Sequence, residues 1–392
     1  MDKSPQHTDL YTINVPTVPK RVLMTADTAG GVWSYALELS SGLAKYGIEV
    51  MLATMGNPPN AEQRREMRRI RNMSLCESSY KLEWMDSPWE EVDQAGEWLL
   101  SLEESLSPDI VHLNGYVHAS LPWQTPCFVV AHSCVLSWWE AVRKKQLPEE
   151  FRQYRERVRK GLAAASLVVA PSQAMLRSLE RHYMPLPGVR VIHNARSRKQ
   201  YKPGKKGEFI LAAGRIWDEA KNIGSLARVA GSLAWPVYIA GEEQHPDGGT
   251  LIVGNVSRLG RIAPWELADW LEQAPIFAHP ARYEPFGLSV LEAAMCRCAL
   301  VLGDIPSLRE LWDGAAIFVH PDDTEGLKAA LQDLCTDHFH RERMAGEAQE
   351  RSLSFSLEKM AAQYMDVYFS LHPSSLVAPP GVGAGRSAPI RR

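Results

Sequence analysis

Short apolar, β-branched runs recur along the chain, and between them apolar residues return at helical spacing. In the first half the runs are RVLMTA (21–26), EVMLATM (49–55), DIVHLNG (109–115), CFVVAHS (127–133), LVVAPS (167–172) and VRVIHN (189–194). In the second half they are FILAAGR (209–215), PVYIAGE (236–242), LIVGNVSRLG (251–260), IFAHPA (276–281), ALVLGD (299–304) and AAIFVH (315–320). Runs that stay apolar at consecutive positions predict strands buried on both faces. Such strands alternating with helices predict an α/β fold with a doubly wound parallel sheet, and the pattern occurs twice. Between the halves, SRKQYKPGKKGE (197–208) carries two glycines, a proline and five cations, and reads as a solvated interdomain linker. The expectation is two Rossmann-like domains, 21–200 and 201–355, facing each other across a cleft. The amphipathic SLEKMAAQYMDVYFSL (356–371) is expected to be a final helix packed back on the first domain. Residues 1–20 read as a flexible lead and 373–392, rich in Pro, Gly and Ser, as a disordered tail.

Composition narrows the functional classes. A chain of 392 residues exceeds one ordinary core, which agrees with two domains. A formal net charge of -3 argues against a nucleic-acid partner. The six cysteines form no CxxC pair, and they read as buried, reduced thiols in a cytoplasmic protein. The first twenty residues show no secretory signal, and no run of 18 apolar residues is present. The arginine-rich stretch 61–73, with Met67 and Ile70 among its cations, reads first as a solvated helix face. Weak peripheral contact with anionic lipid is the alternative.

GxGxxG, GxxxxGK[ST], GxSxG, HExxH and Asp-x-Asp are all absent, so nicotinamide, P-loop, hydrolase-elbow and zincin chemistry and an Asp-x-Asp metal site lose support. Two other groupings carry chemistry. Arg215 ends a strand and Lys221 begins a helix six residues later; two cations there can neutralise a diphosphate without metal. Solvated surface cations are the plainer reading. RYEPFGLSVLEAA (282–294) follows the run 276–281. Gly287 lets backbone N–H groups approach a ligand, and Ser289 is a plausible N-cap whose helix points its positive end at an anion. Glu292, near the first turn, would repel phosphate and so suits the hydroxyls of a ribose; Glu284, on the loop, suits sugar hydroxyls. Either glutamate alone could simply complement a helix dipole.

These groupings together resemble the retaining GT-B glycosyltransferases of family 4. Glu284-x7-Glu292 looks like that family's acid pair. GRIWDEAKN, GDIPSLREL, TAGGVWSYALELSSGLAKYGIEV, HLNG and AHS match its motifs in order and spacing, over about residues 21 to 370. The resemblance implies phosphate binding by Arg215 and Lys221, ribose binding by Glu292, and a donor-sugar role for Glu284 with the backbone of Phe286, Gly287 and Leu288. It also implies a sugar-pocket role for His132, a glycine loop beside the diphosphate at Gly30 and Gly31, and a turn acid at Glu310. The usual Pro-Asn-Gly reads HNA (193–195) here, and Pro306 and Ser307 replace a Gly-Gly pair. The activity so implied is transfer of a sugar from a nucleoside-diphosphate donor to a saccharide or lipid-linked acceptor, with no metal or other cofactor. Front-face attack, with the leaving phosphate taking the acceptor's proton, is the implied route. Trp138 and Trp139 could stack on an acceptor sugar or lie in the core. Two rivals share the donor site, a nucleotide-sugar epimerase and a catalytically silent binding module. Donor alone separates them: an epimerase changes the sugar, a binder leaves it intact, and a transferase slowly hydrolyses it.

Overall fold

The structure, a computed structural model, describes residues 18–243 and 254–372. Most of the expected lead, all of the expected tail and the start of the run 251–260 lie outside the described residues. The first sheet contains β1 (Arg21–Asp27), β2 (Glu49–Met55), β3 (Met73–Glu77), β4 (Ile110–Leu113), β5 (Cys127–Val130), β6 (Val168–Ala170) and β7 (Val189–Val191). The second contains β8 (Ile210–Ala213), β9 (Val237–Ala240), β10 (Ser257–Gly260), β11 (Ile276–His279), β12 (Ala299–Gly303) and β13 (Ile317–Val319). Their orders are β3-β2-β1-β4-β5-β6-β7 and β10-β9-β8-β11-β12-β13, with parallel pairing throughout. Both are Rossmann orders, which reverse direction between the first and fourth strands. The expected two-domain α/β architecture is therefore the observed one.

Twelve of these strands fall on the expected apolar runs; β3 does not. None of its residues is buried and Ser74 and Glu77 are exposed, as suits an edge strand, and its first residue, Met73, closes the arginine-rich stretch expected to be helical. That helix stops at Met67. Pairing with β2 and two bonds from the Asn72 amide to the Ser40 and Ile48 carbonyls draw the next residues into the sheet. Met67 and Ile70 pack against the first domain's core, so they form no free apolar stripe.

The final helix, Leu357–Leu371, returns to the first domain and lies on the helix Gly31–Leu43. Gly42 permits this approach: a Cβ there would stand 3.0 Å from the Ala361 Cβ. Met360, Tyr364, Met365 and Tyr368 are buried in the contact, each apolar side chain contributing about 1.5–3 kcal/mol. The chain crosses between domains twice, and Arg196 on the outward crossing pairs with Ser356 on the return. The outward segment is less solvated than its composition predicts. Tyr201 is buried, and the Lys206 ammonium donates to the carbonyls of Glu272, Ala274 and Cys296 at 3.1, 2.9 and 2.6 Å. All six cysteines are free thiols, and five are buried.

Candidate active site

Each switch point between strands opens toward the other domain. Gly30 and Gly31 follow β1, Arg215 follows β8, and Glu284 follows β11. Across the gap, a Cβ on Gly30 would lie 3.7 Å from Arg215 Nη1, and one on Gly31 would lie 3.5 Å from Leu288 Cδ1. The predicted diphosphate cation and the predicted glycine turn therefore face each other, although they are far apart in sequence. Lys221 does not begin a helix as expected: it ends a short 3-10 turn, Glu219–Lys221, and the regular helix begins at Ile223.

Two ion pairs hold the second-domain cations. Arg215 Nη2 donates to Asp218 Oδ2 at 2.8 Å. Asp218 Oδ1 accepts from the Ala220 amide at 3.0 Å and, across the cleft, from Trp138 Nε1 at 3.1 Å. Burial pushes the Asp218 carboxyl up, but Arg215 and Lys221 outweigh it and hold it below the usual range. Lys221 Nζ donates to Glu284 Oε2 at 2.7 Å, and His279 Nε2 lies 3.1 Å from the same oxygen. Here too burial opposes ionisation, while Lys221 and His279 together keep Glu284 a carboxylate. The helix that follows, Leu288–Met295, starts from Gly287 at φ 89°, so the glycine occupies the N-cap position and Ser289 lies inside the helix. Left-handed backbone favours glycine, and the first residue of the helix, Leu288, brings its side chain against Gly31. Phe286 is buried against His193 and Phe355, leaving its backbone as the part a ligand could reach.

The first domain supplies His132 and its support. Asn114 Nδ2 donates to the Thr25 carbonyl at 2.6 Å, so its Oδ1 is the acceptor for His132 Nε2–H at 2.8 Å. Desolvation drives the His132 pKa down to about 3. The ring is therefore neutral at physiological pH, with Nδ1 as its acceptor. Tyr35 packs edge-on against it, with centroids 4.4 Å apart. Behind Tyr35, His112 bridges Tyr35 and Tyr368 hydroxyls at 3.2 and 2.9 Å, so the returning helix props the histidine from behind. Asp27, ending β1, accepts from the Ala29 amide at 2.9 Å, and burial raises its carboxyl against the opposing pull of that amide and Arg215.

Two acids depart from their expected surroundings. Glu292 is buried, with its Oε1 held by Arg196 Nε at 2.6 Å. Glu310, expected as a turn acid, reaches the other domain: its two oxygens accept from the Gln173 and Ala174 amides, both at 2.7 Å, at the start of the helix Gln173–Tyr183. The tryptophans divide. Trp138 bridges the domains through Asp218, whereas Trp139 packs on Phe151. Beside Glu284 a cavity of about 250 Å³ is lined by Met175, Arg177, Arg282, Tyr283 and Ser307, from both domains. Asp218, His279, Asn114 and Asp27 were not singled out from sequence, although each ends a strand or begins a turn at a switch point. Among the described residues no group of three His, Cys, Asp or Glu side chains is arranged to hold a metal ion, and no helix is long and apolar enough to cross a membrane.

Two family models match the chain in tandem: Glycosyltransferase Family 4 over residues 29–197 and Glycosyl transferases group 1 over residues 207–337. Among curated relatives, O-antigen chain mannosyltransferase B of Escherichia coli is 28% identical over 29% of this chain and 30% of its own length. Alpha-maltose-1-phosphate synthase of Mycolicibacterium smegmatis is 27% identical over 64% of this chain and 74% of its own length. Among solved structures, Anabaena HepE in complex with UDP-glucose superposes with a TM-score of 0.70 at 16% identity, over 90% of this chain and 100% of that one.

Proposed function

From the premise that the chain belongs to the family 4 glycosyltransferases, a class of transferase enzymes, we propose that it is a retaining enzyme using a nucleoside-diphosphate sugar. The sugar goes to a hydroxyl of a saccharide or lipid-linked glycan acceptor, without a metal ion. The observation that carries this reading is the seating of Arg215 against Gly30 across the cleft, with Lys221 and the start of the helix Leu288–Met295 beside it. A diphosphate placed there meets two cations and a row of backbone amides. Preorganised donors of this kind stabilise the charge that develops as a phosphate leaves. Glu284, kept ionised by Lys221 and His279, accepts sugar hydroxyls on one side. His132 is neutral and accepts a hydrogen bond from a hydroxyl through Nδ1 on the other, so neither group serves as an acid at neutral pH. The leaving phosphate then takes the acceptor's proton, which fits a front-face route. The acceptor enters from the first domain, beside the glycine turn. The structural neighbour holding UDP-glucose supports a nucleotide-sugar donor of this type. The enzyme works in the cytoplasm, with any membrane contact peripheral.

Calorimetric binding of UDP, GDP and ADP in the presence of EDTA tests the reading. Tight binding of one of them, weakened in Arg215→Ala and Lys221→Ala, is the expected result. Absence of binding by all three, or binding that appears only on adding a divalent cation, overturns it.

A further inference from the structure

At the hinge, one arginine has a pairing that the donor site as described does not use. Arg196 lies on the outward crossing, with its backbone paired to the returning chain at Ser356. Its side chain reaches into both domains. Nε and Nη2 contact Glu292 Oε1, while Nη1 donates to Glu38 Oε1 at 3.4 Å. The Ser197 amide adds a 3.2 Å bond to the same Glu38 oxygen, and the guanidinium sits over the Tyr201 ring, 5.6 Å from its centroid. Glu38 belongs to the helix Gly31–Leu43 and Glu292 to the helix Leu288–Met295. These are the two helices whose starts meet across the cleft at Gly31 and Leu288. One side chain thus ties together both helices that frame the diphosphate position.

The charges here do not balance. Two carboxylates share one guanidinium, and the three side chains are only 12%, 12% and 4% exposed. A buried excess of negative charge is unfavourable unless further donors satisfy it. The contacts from Arg196 Nε and Nη2 both fall on Glu292 Oε1 and pin that oxygen, and the Tyr201 hydroxyl also bonds this carboxylate. Lysine is a point charge and could not hold both acids at set angles. A ribose hydroxyl is a neutral O–H donor that can add to the remaining acceptor capacity of this carboxylate, where a phosphate would be repelled.

We infer that Arg196 is a positioning residue: it orients the Glu292 carboxylate to receive the ribose diol of the donor nucleotide, with Glu38 anchoring the far end of its guanidinium. This rests on the donor-site reading above. The test compares binding of the nucleoside diphosphate that the wild-type protein takes with binding of its 2′,3′-dideoxy counterpart. Wild type, Arg196→Lys and Arg196→Met are measured by calorimetry, and thermal unfolding checks each fold. Wild type is expected to prefer the ribonucleotide by roughly ten- to a hundredfold, the size of a hydrogen bond to a charged group. Arg196→Met should bring that preference to within about twofold, and Arg196→Lys should fall between, while affinity for the dideoxy nucleotide stays constant. A merely structural role would shift both nucleotides alike. A folded Arg196→Lys or Arg196→Met with wild-type preference overturns the assignment, and the lysine variant alone decides if the methionine variant does not fold. Failure of the wild-type protein to bind any nucleotide would instead sink the donor-site reading itself.

Discussion

Truncating Glu310 to alanine should loosen the cleft without unfolding either domain. In the structure its carboxylate spans the gap between domains and accepts from two backbone amides, Gln173 and Ala174, each at 2.7 Å. A hydrogen bond to a charged group is worth about 1.5–3 kcal/mol. The two bonds do not simply add, because the side chain is 22% exposed and the freed amides can be hydrated once the cleft opens. Ser172 also remains as cap, accepting from the Met175 amide at 3.2 Å and donating to the Pro285 carbonyl at 2.7 Å. The expected loss is therefore about 1.5–3 kcal/mol in total. Because the contact joins domains, that loss falls on the closed arrangement and shifts it toward open by roughly ten- to a hundredfold. Hydrogen exchange resolved at Gln173 and Ala174 should accelerate by that factor, and the radius of gyration from small-angle scattering should rise. Glu310→Gln, which keeps one acceptor oxygen but no charge, should fall between. Unchanged exchange at both amides in Glu310→Ala would refute the idea that this acid holds the domains together.

Three further outcomes can be checked on the ligand-free protein. Gly161→Ala would place a Cβ 2.0 Å from the Tyr116 carbonyl oxygen, so the helix Arg152–Ala164 must shift; a loss of about 1–3 kcal/mol is expected in urea unfolding at constant slope, and an unchanged midpoint counts against the close approach. Tyr368→Phe strips His112 Nδ1 of its partner in a fully buried setting; about 1–3 kcal/mol should be lost, and wild-type stability would show that the bridge contributes nothing. Glu83, accepting from the Tyr116 and Val117 amides, has its carboxyl pushed up to about 7 by burial. The folded state therefore binds more protons than the unfolded one between about pH 4.5 and 7, and this group's contribution to stability falls as pH rises through that window. Glu83→Gln should remove that part of the slope in unfolding free energies measured at pH 5 and 8, and an identical slope in the variant would assign the pH dependence elsewhere.

The sequence by itself determined the architecture and the order of the site. Consecutive apolar runs can be buried only on both faces, so twelve strands and the doubly wound arrangement were legible from periodicity alone. The spacing of Arg215, Lys221, Glu284 and Glu292 marked the candidate donor side because strand ends and helix starts leave a local signature. Short-range patterns do not report what those groups meet. β3 became a strand because β2 offered an open edge, against a helical reading of the residues before it. The helix at Leu288 took Gly287 as its cap and passed over Ser289, since the turn needs a positive φ that serine rarely adopts. Asp218, Asn114 and His279 are ordinary polar residues until folding puts Arg215, His132 and Glu284 within bonding distance of them. Arg196 and Glu310 show the same limit most plainly. One lies just before the stretch that read as solvated linker and the other on the helix Pro306–Trp312, where a turn was expected, and each finds its partner about a hundred or more residues away. Burial and charge pairing across a domain gap depend on which surfaces come together, and only the tertiary structure decides that.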